Sequence, residues 1–370
     1  MKRQEFLHDA TALGVGALAG LEPLATLLEA LGDSEPTPIP ARIGATEIEQ
    51  TRAATRAFES QYCTFGGGLV REAVMGQLRW SAGLLRATCP ERLRPELFAA
   101  VGDLACVAGY TAVDANADDE AHRVYGFAWS CAERAEDWNL RAEILSNMTK
   151  QSIMTGRLDD GLTLAELALV RPDRLTTAAR TMVHTSRARV LAKMRRVQET
   201  LTAIGTADEH FTHVTPDNEP SFMAYYTDTR HALLTGQRLA DLAILGRDPG
   251  EATNRLTAAV TGYTDTGDTL SQALCLTKLA SLTMVTGDPL QAAALGHAAL
   301  DIAGTIRSRR AAEELRELAH YAAAHQHLDE VAHLRHRIAT LVGTGSPTAV
   351  LDAPGLKTPA SLPGWHVEST

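Results

Sequence analysis

Apolar and polar positions follow a helical period along most of the chain, from about residue 45 to residue 343. No stretch shows the strict two-residue alternation of a strand with one buried face. The pattern predicts fourteen helices separated by turns that are marked by glycine, proline and acidic residues. They cover residues 45–60, 67–88, 92–112, 118–135, 138–155, 158–170, 175–193, 196–208, 221–245, 250–264, 269–285, 288–304, 307–324 and 327–343.

Helix turns recur along this region with a step of about forty residues, and each is followed by small residues at fixed positions. The turns lie at Asn116, Gly156, Arg195, Arg247, Gly287 and His327. Five positions later stand Ala121, Gly161, Thr200, Ala252, Ala292 and Ala332, and twelve positions later stand Ala128, Ala168, Ala207, Ala259, Ala299 and Ala339. One step is longer, because residues 210–220 form an insertion bounded by proline.

The fold class that this repeat predicts is all-α, a tetratricopeptide-like solenoid of helical hairpins. A regular small residue on one helix lets the neighbouring helix approach closely, as stacked hairpins require. The step lies between the tetratricopeptide length of about 34 residues and the HEAT or armadillo length of about 40 to 47, so the period alone does not choose between them. The spacing of apolar, small and turn residues over 276–300 favours the tetratricopeptide-like hairpin.

Composition changes sharply at both ends of the repeat region. Residues 1–44 predict a short helix and then a linker, because successive X-Pro steps at Pro36, Pro38 and Pro40 disfavour helix. Residues 45–343 form the predicted repeat array. Residues 344–370 are rich in proline, glycine, serine and threonine, and we expect them to be a disordered tail.

The charge of the chain limits the partners that we expect. A formal net charge of −10 and a pI near 5.7 argue against direct nucleic-acid binding, which draws on a basic surface. The five cysteines are odd in number and widely spaced, so they indicate neither a disulfide framework nor a zinc site. We interpret them as buried thiols in a reducing cytoplasm. No apolar run beyond the N-terminal segment approaches a transmembrane length, so we expect no membrane association.

The N-terminus resembles a twin-arginine export signal, because Lys2 and Arg3 precede an apolar stretch over 12–20. Lysine replaces the first arginine of that motif, and Asp9 and Glu22 interrupt the apolar region. We therefore favour a cytoplasmic protein, and export stays the alternative.

Several stretches together resemble the sensor half of bacterial XRE-type helix-turn-helix transcriptional regulators that carry tetratricopeptide-like repeats. They are residues 108–114 (AGYTAVD), 132–137 (AERAED), 145–151 (LSNMTKQ), 299–303 (ALDIA) and 308–311 (SRRA), together with the Lys-Arg-x-x-Phe-Leu start. The resemblance implies a ligand-responsive repeat scaffold. No segment before Ala45 matches the helix-turn-helix domain of that family, so a separate DNA-binding partner is one expectation.

Polar residues on the first helix of each hairpin are the natural ligand contacts, because these helices line the concave surface of such arrays. Asparagine and glutamine can bind a peptide backbone, arginine can hold a carboxylate, and tyrosine adds stacking area. The alternative for each residue is a solvated helix face or, for the tyrosines, the core. The groove candidates are Asn147, Lys150, Gln151, Arg187, Tyr225, Tyr226 and Arg230.

Motifs for catalysis and for metal binding are missing from the sequence. It contains no nucleophile elbow, no phosphate-binding loop and no His-Glu-x-x-His pair, so we predict no enzyme and no cofactor. The histidines over 320–336 lack acidic or thiol ligands at a convincing spacing, so we predict no metal site there. The glycines over 66–68 could place an anion on their amides, but a flexible hinge is the plainer interpretation.

The leading hypothesis is therefore a regulatory repeat protein that binds a peptide or a small-molecule effector and acts in transcriptional or pathway regulation. Binding would favour one of two stackings of the hairpins, or a change in the contacts of a homodimer. A constitutive protein–protein interaction scaffold is the alternative. An enzyme whose active site lies in the groove is a third hypothesis, and it would need convergent titratable groups with perturbed pKa values.

Overall fold

The computed structural model describes residues 37–342, which contain fourteen α-helices and, outside them, short 3₁₀ turns and one isolated bridge between Arg42 and Thr88. The helices α1 to α14 span Ala45–Phe65, Gly67–Leu84, Arg94–Asp114, Asp118–Ala135, Trp138–Met154, Leu158–Leu167, Thr177–Lys193, Val197–Phe211, Asp228–Ile244, Gly250–Tyr263, Thr269–Thr286, Pro289–Ala303, Arg309–Ala322 and Asp329–Val342. The all-α prediction is confirmed.

The predicted N-terminal helix and the predicted C-terminal tail lie outside the described residues. Residues 37–40 are neither helix nor strand. The chain divides into two compact units after Ala41, and all fourteen helices belong to the second unit. The statements that follow concern the second unit alone.

The largest difference from the predicted boundaries is at α9, which begins at Asp228 rather than at residue 221. A 3₁₀ helix, Ser221–Tyr225, precedes it, and Thr227 caps α9 by accepting a hydrogen bond from the amide of Arg230 at 3.3 Å. A threonine with extended backbone at this position ends the preceding turn and starts the helix. The prediction merged the two helical segments because both have apolar residues at helical spacing.

Helices with odd numbers form an inner row, and helices with even numbers pack outside it. Neighbours in sequence pair as hairpins, for example α3 with α4, α7 with α8 and α11 with α12. Each odd-numbered helix also contacts the next, from α1 and α3 through to α11 and α13. In α11 thirteen of eighteen residues are buried, whereas α4 and α10 are buried along one face only. A helix that is buried on most of its circumference lies between layers of helices.

The predicted small residues lie where the helices of a hairpin approach each other. Ala121 and Ala128 of α4 and Ala292 and Ala299 of α12 are completely buried. The last helix differs, because Ala332 is exposed and the residue before it, Val331, is buried instead. The predicted register is therefore wrong by one residue in α14 and fits the earlier even-numbered helices.

The two ends of the inner row meet. Helix α1 packs against α11, and α3 contacts α13. The amide of Arg307 donates to the carbonyl of Phe65 at 2.8 Å, and the amide of Gly68 donates to the carbonyl of Arg307 at 2.9 Å. The inner helices thus form a ring, and we call this contact between the start of α2 and the start of α13 the ring junction.

The glycines over 66–68 belong to the ring junction, where their lack of a side chain is a steric requirement. A Cβ on Gly67 would lie 2.6 Å from the carbonyl oxygen of Thr111. The amide of Gly67 donates to Asp114 Oδ2 at 2.9 Å, and Asp114 Oδ1 accepts from Ser308 Oγ at 2.8 Å. Because protein groups occupy the amides of Gly67 and Gly68, the structure gives no support to an anion there, and the run is a packing contact rather than a hinge.

The insertion over 210–220 packs back onto the array. The Glu219 carboxylate accepts from the amide of Ala178 at 3.0 Å at the start of α7. Met223, which follows the insertion, is buried against α7, and Tyr225 donates from its hydroxyl to Met182 Sδ at 3.2 Å. This segment therefore fixes the position of Tyr225.

Candidate ligand-binding site

The inner row of helices surrounds a cavity of about 460 Å³. This volume lies in the range of sites for small molecules, which is about 300–1,000 Å³. Its charged and aromatic lining comes from α1 (Glu59, Tyr62), α3 (Tyr110), α5 (Glu143, Asn147, Lys150), the start of α9 and the turn before it (Tyr225, Arg230), α10 (Tyr263), the N-cap of α11 (Asp268) and α13 (Arg310). Closure of the ring is what brings α1 and α13 to the same cavity.

Four cations converge on this cavity and on the two recesses that share residues with it. Lys150 and Arg230 line the cavity and the recess between α5, α7 and α9, which adds Arg189. Arg310 lines the cavity, and Arg310 and Arg189 together line a second recess. We call Lys150, Arg189, Arg230 and Arg310 the cation cluster.

No member of the cation cluster forms an ion pair with a carboxylate in the part of the chain that the structure describes. Lys150 donates to Asn147 Oδ1 at 3.0 Å, and Arg230 Nη1 donates to Ser271 Oγ at 3.1 Å. The Arg230 guanidinium lies 5.6 Å from the centre of the Tyr225 ring. The Nε atoms of Arg189 and Arg230 are buried without a hydrogen-bond partner. The cluster therefore has unused donors.

The pKa values of Lys150 and Arg189 show repulsion by neighbouring cations, whereas Tyr263 and Asp268 raise the pKa of Arg230. Burial lowers the pKa of Lys150 well below its usual value, and the charges of Arg310, Arg189 and Arg230 lower it further. Burial also lowers the pKa of Arg189 to about 9, and the charges of Arg238 and Arg310 lower it further. Half-buried cations without partners are unfavourable, and an anion among them would relieve both desolvation and repulsion.

Three carboxyl groups, Glu59, Asp103 and Glu143, lie towards the α1–α3 side of the same interior, and we call them the carboxyl cluster. Burial raises the pKa of Glu143 well above its usual value, and Asp103 and Glu59 raise it further. Burial likewise raises the pKa of Asp103 to about 8 and that of Glu59 to about 7. Convergent titratable groups with raised pKa values are typical of functional sites, although structural clusters also produce them.

A second set of charges in the interior is fully paired. The ammonium of Lys278, which is 1% exposed, lies 3.0 Å from Asp241 Oδ1, 3.2 Å from Glu314 Oε2 and 3.2 Å from Glu317 Oε2. Lys193 and Arg238 also pair with Asp241, at 3.3 Å and 3.6 Å. Three cations thus face three carboxylates. We call these six residues the paired network.

The structure brings four of the seven groove candidates together at the cavity, namely Asn147, Lys150, Tyr225 and Arg230. The other three lie elsewhere. Gln151 is buried and donates to the carbonyl of Asp118 at 2.8 Å, and Arg187 lies 3.7 Å from Glu166 on α6. Tyr226 is buried, with its hydroxyl donating to Thr185 Oγ1 at 3.3 Å. Adjacent helical residues point about 100° apart, so Gln151 cannot share the direction of Lys150.

Sequence reasoning missed several residues that the cavity requires. Glu143 could have been found, because it precedes Asn147 by four and Lys150 by seven residues on one helix face. Arg189 and Arg310 could not, since nothing in the repeat pattern distinguishes them from solvated arginines. Tyr62 belongs to the site only because α1 closes the ring. Its ring centre lies 4.7 Å from that of Tyr110.

One group of potential metal ligands occurs among the described residues, formed by His297, Glu330 and His333, whose ligand atoms lie within 4.8 Å of one another. The acidic ligand that the sequence analysis did not find is Glu330. Arg337 Nη1, however, lies 2.9 Å from Nδ1 of His297, and its positive charge opposes a bound cation. If this arginine donates to Nδ1, then Nε2 of the neutral imidazole carries the proton and cannot bind a metal.

One segment in residues 37–342, Glu91–Asp114, is long and apolar enough to cross a membrane, and 78% of its most apolar stretch of 18 residues is buried inside the protein. Most of the segment is α3. This burial is what a core helix shows. Comparisons with known protein families, with curated proteins and with solved structures gave no match.

Proposed function

We propose that the chain is a tetratricopeptide-like sensor that binds an anionic small molecule or a short peptide in its central cavity. The observation that carries the proposal is the cation cluster. Three half-buried cations without a carboxylate in ion-pair distance, Lys150, Arg230 and Arg310, line one cavity, and Arg189 lines two recesses that share residues with it. Folding of the protein alone does not require such a cluster. A carboxylate or phosphate group of a ligand can supply the missing hydrogen-bond acceptors.

The tetratricopeptide-like architecture is part of this proposal. It rests on the hairpins with a step of about forty residues, on the small residues at the hairpin contacts, and on the inner row of odd-numbered helices. A solenoid that closes into a ring offers a cavity instead of a long open groove. This favours a small effector over a scaffold that holds a partner protein along a concave surface.

Arg310 gives a physical route from ligand binding to regulation. Its side chain lines the cavity, and its amide donates to Asp114 Oδ1 at 3.2 Å within the ring junction. A ligand that binds Arg310 therefore changes the relative stability of the closed and opened junction. Ligand binding shifts the population of the two states by the difference in affinity for each. The readout is transcriptional or pathway regulation in the cytoplasm, through a separate DNA-binding partner or through a dimer.

Native mass spectrometry of the purified chain tests this proposal. We expect a bound small molecule or short peptide with at least one anionic group, and loss of that species in Arg230→Gln. The matched control is Arg247→Gln, because Arg247 is exposed and makes no ion pair in the described residues. A chain that stays unliganded, or equal retention by both variants, would contradict the proposal. A co-purifying protein in place of a small molecule would support the scaffold hypothesis.

A further inference from the structure

Glu143 lies in the cavity wall without a partner for its charge. It is 5% exposed, and its Oε2 atom is buried with no hydrogen-bond partner. No lysine, arginine or histidine of the described residues is in ion-pair distance of it. An almost completely buried carboxylate costs several kcal/mol to desolvate, so such a group either has a cationic or hydrogen-bonding partner or binds a proton. A cationic group of a ligand beside Glu143 would favour its charged form.

Glu59 faces the same cavity from α1 and is equally unpaired among the described residues. Its nearest stabilising charge is Arg56, on the same helix, which does not reach ion-pair distance. Asp103 adds a third carboxyl group that interacts with both. Two helices, α1 and α5, thus place carboxyl groups without an ion-pair partner on a cavity that Lys150, Arg230 and Arg310 also line.

The two clusters are separated by a distance that one ligand can span. Glu143 and Lys150 are seven residues apart on α5, which places their Cα atoms about 10.5 Å apart on the same face of the helix. Asn147 lies between them and makes hydrogen bonds through both its amide nitrogen and its oxygen. A ligand with only an anionic group would neutralise the cation cluster and leave Glu143 and Glu59 unpaired.

We propose that the ligand is a zwitterion, with an ammonium or guanidinium group bound by Glu143 and Glu59 and an anionic group bound by Lys150, Arg230 and Arg310. The class comprises amino-acid-like molecules and short peptides whose two charges are several bonds apart. This inference rests on the proposed function, since it concerns the same cavity. It adds to the proposed function that the ligand also carries a cationic group.

Calorimetric titration of the full chain with ω-amino carboxylates tests the inference. The probes are 4-aminobutyrate, 6-aminohexanoate and 8-aminooctanoate, with hexanoate and hexylamine as matched probes that carry one charge each. We expect at least one of the zwitterions to bind about tenfold more tightly than hexanoate, which corresponds to about 1.4 kcal/mol. We expect hexylamine to bind more weakly than that zwitterion.

The variant Glu143→Gln keeps the shape of the side chain and removes its charge. It should bind the zwitterion no more tightly than hexanoate, and its affinity for hexanoate should stay equal to that of the wild type or increase. Glu136→Gln is the control, because Glu136 is exposed and lies outside the cavity. Binding of hexanoate by Glu143→Gln also verifies that the variant is folded.

The outcomes separate this inference from the proposed function. If hexanoate and the zwitterions bind equally and Glu143→Gln changes nothing, the carboxyl cluster does not bind a cation, and the sensor proposal stands without it. If none of the probes binds and native mass spectrometry finds no bound molecule, the proposed function is wrong as well. Loss of the preference for zwitterions in Glu143→Gln, but not in Glu136→Gln, supports both.

Discussion

The interior of this protein contains two groups of buried charge that differ in one respect. In the paired network, Lys278 contacts three carboxylates within 3.2 Å, and positive and negative groups balance. In the cation cluster, Lys150, Arg189, Arg230 and Arg310 have no carboxylate in ion-pair distance within residues 37–342. Both groups include residues of α7, α9 and α13, whereas Lys150 lies on α5 and Lys278 lies on α11. The first group stabilises the packing of the helices, and the second group is the basis of the proposed ligand site.

The pKa values express the same contrast. Burial alone would lower the pKa of Lys278, but Asp241, Glu314 and Glu317 raise it well above its usual value. Burial lowers the pKa of Lys150, and its neighbours lower it further. One lysine is thus stabilised in its charged form by the protein, and the other is destabilised. Substitutions of the two lysines should therefore have opposite effects on stability.

The largest expected effect is that of Lys278→Met. It leaves Asp241, Glu314 and Glu317 without their shared cation, and breaking a buried pair costs about 3–5 kcal/mol. Unfolding in urea should show this loss in the free energy of unfolding. Lys193→Met is the matched control with a smaller effect, because Lys193 is more exposed and pairs with Asp241 alone. A loss below about 1 kcal/mol for Lys278→Met would show that the network does not stabilise the fold.

A second prediction concerns the ring junction, on which the site depends. Gly67→Ala places a Cβ 2.6 Å from the carbonyl oxygen of Thr111, and either α2 or α3 has to move. We expect a loss of about 1–3 kcal/mol, as for other overpacked contacts, together with weaker ligand binding. Gly76→Ala is the control, since a Cβ there meets no atom within 4 Å. Equal stability of the two variants would contradict the proposed packing role.

The third prediction is a change in stability opposite to the one expected for Lys278→Met. Lys150→Met removes a buried cation whose pKa is lowered by three neighbouring arginines, so the unliganded protein should gain about 1 kcal/mol or keep its stability. Binding of an anionic probe such as hexanoate should weaken about tenfold. Thermal unfolding with and without the probe measures both quantities. Destabilisation comparable to that of Lys278→Met would remove the distinction between the two groups of charge.

The smallest expected effect is a pH dependence of the unliganded protein that comes from the carboxyl cluster. The folded-state pKa values of Glu59 and Asp103 are raised to about 7 and about 8, above the values that glutamate and aspartate have in the unfolded chain. The folded state therefore binds more protons than the unfolded state in this range, and stability falls as pH rises from about 5 to about 8. Glu59→Gln should reduce this fall in the melting temperature by a few degrees at most. If the melting temperature of Glu59→Gln falls with pH as steeply as that of the wild type, the pKa of Glu59 is not raised in the folded protein.

The sequence predicted much of the local structure and four of the residues that line the candidate site, namely Asn147, Lys150, Tyr225 and Arg230. The helical period located each of the fourteen α-helices between residues 45 and 342, because amphipathic spacing is a property of each segment by itself. Asn147 and Lys150 were found because they lie on one face of a predicted inner helix. Gln151 and Tyr226 were included with them because sequence proximity does not reveal the direction of a side chain.

What the sequence alone determined is the all-α class, the repeat of about forty residues and the placement of small residues at most hairpin contacts. The tertiary structure decided that the array closes into a ring through Gly67, Asp114 and Arg307. It also decided which charges meet. Lys278 and Lys150 are both lysines on inner helices, and only the packing of distant helices gives one of them three carboxylates and leaves the other beside three arginines. Contacts of this kind depend on residues far apart in the chain, so no local pattern encodes them.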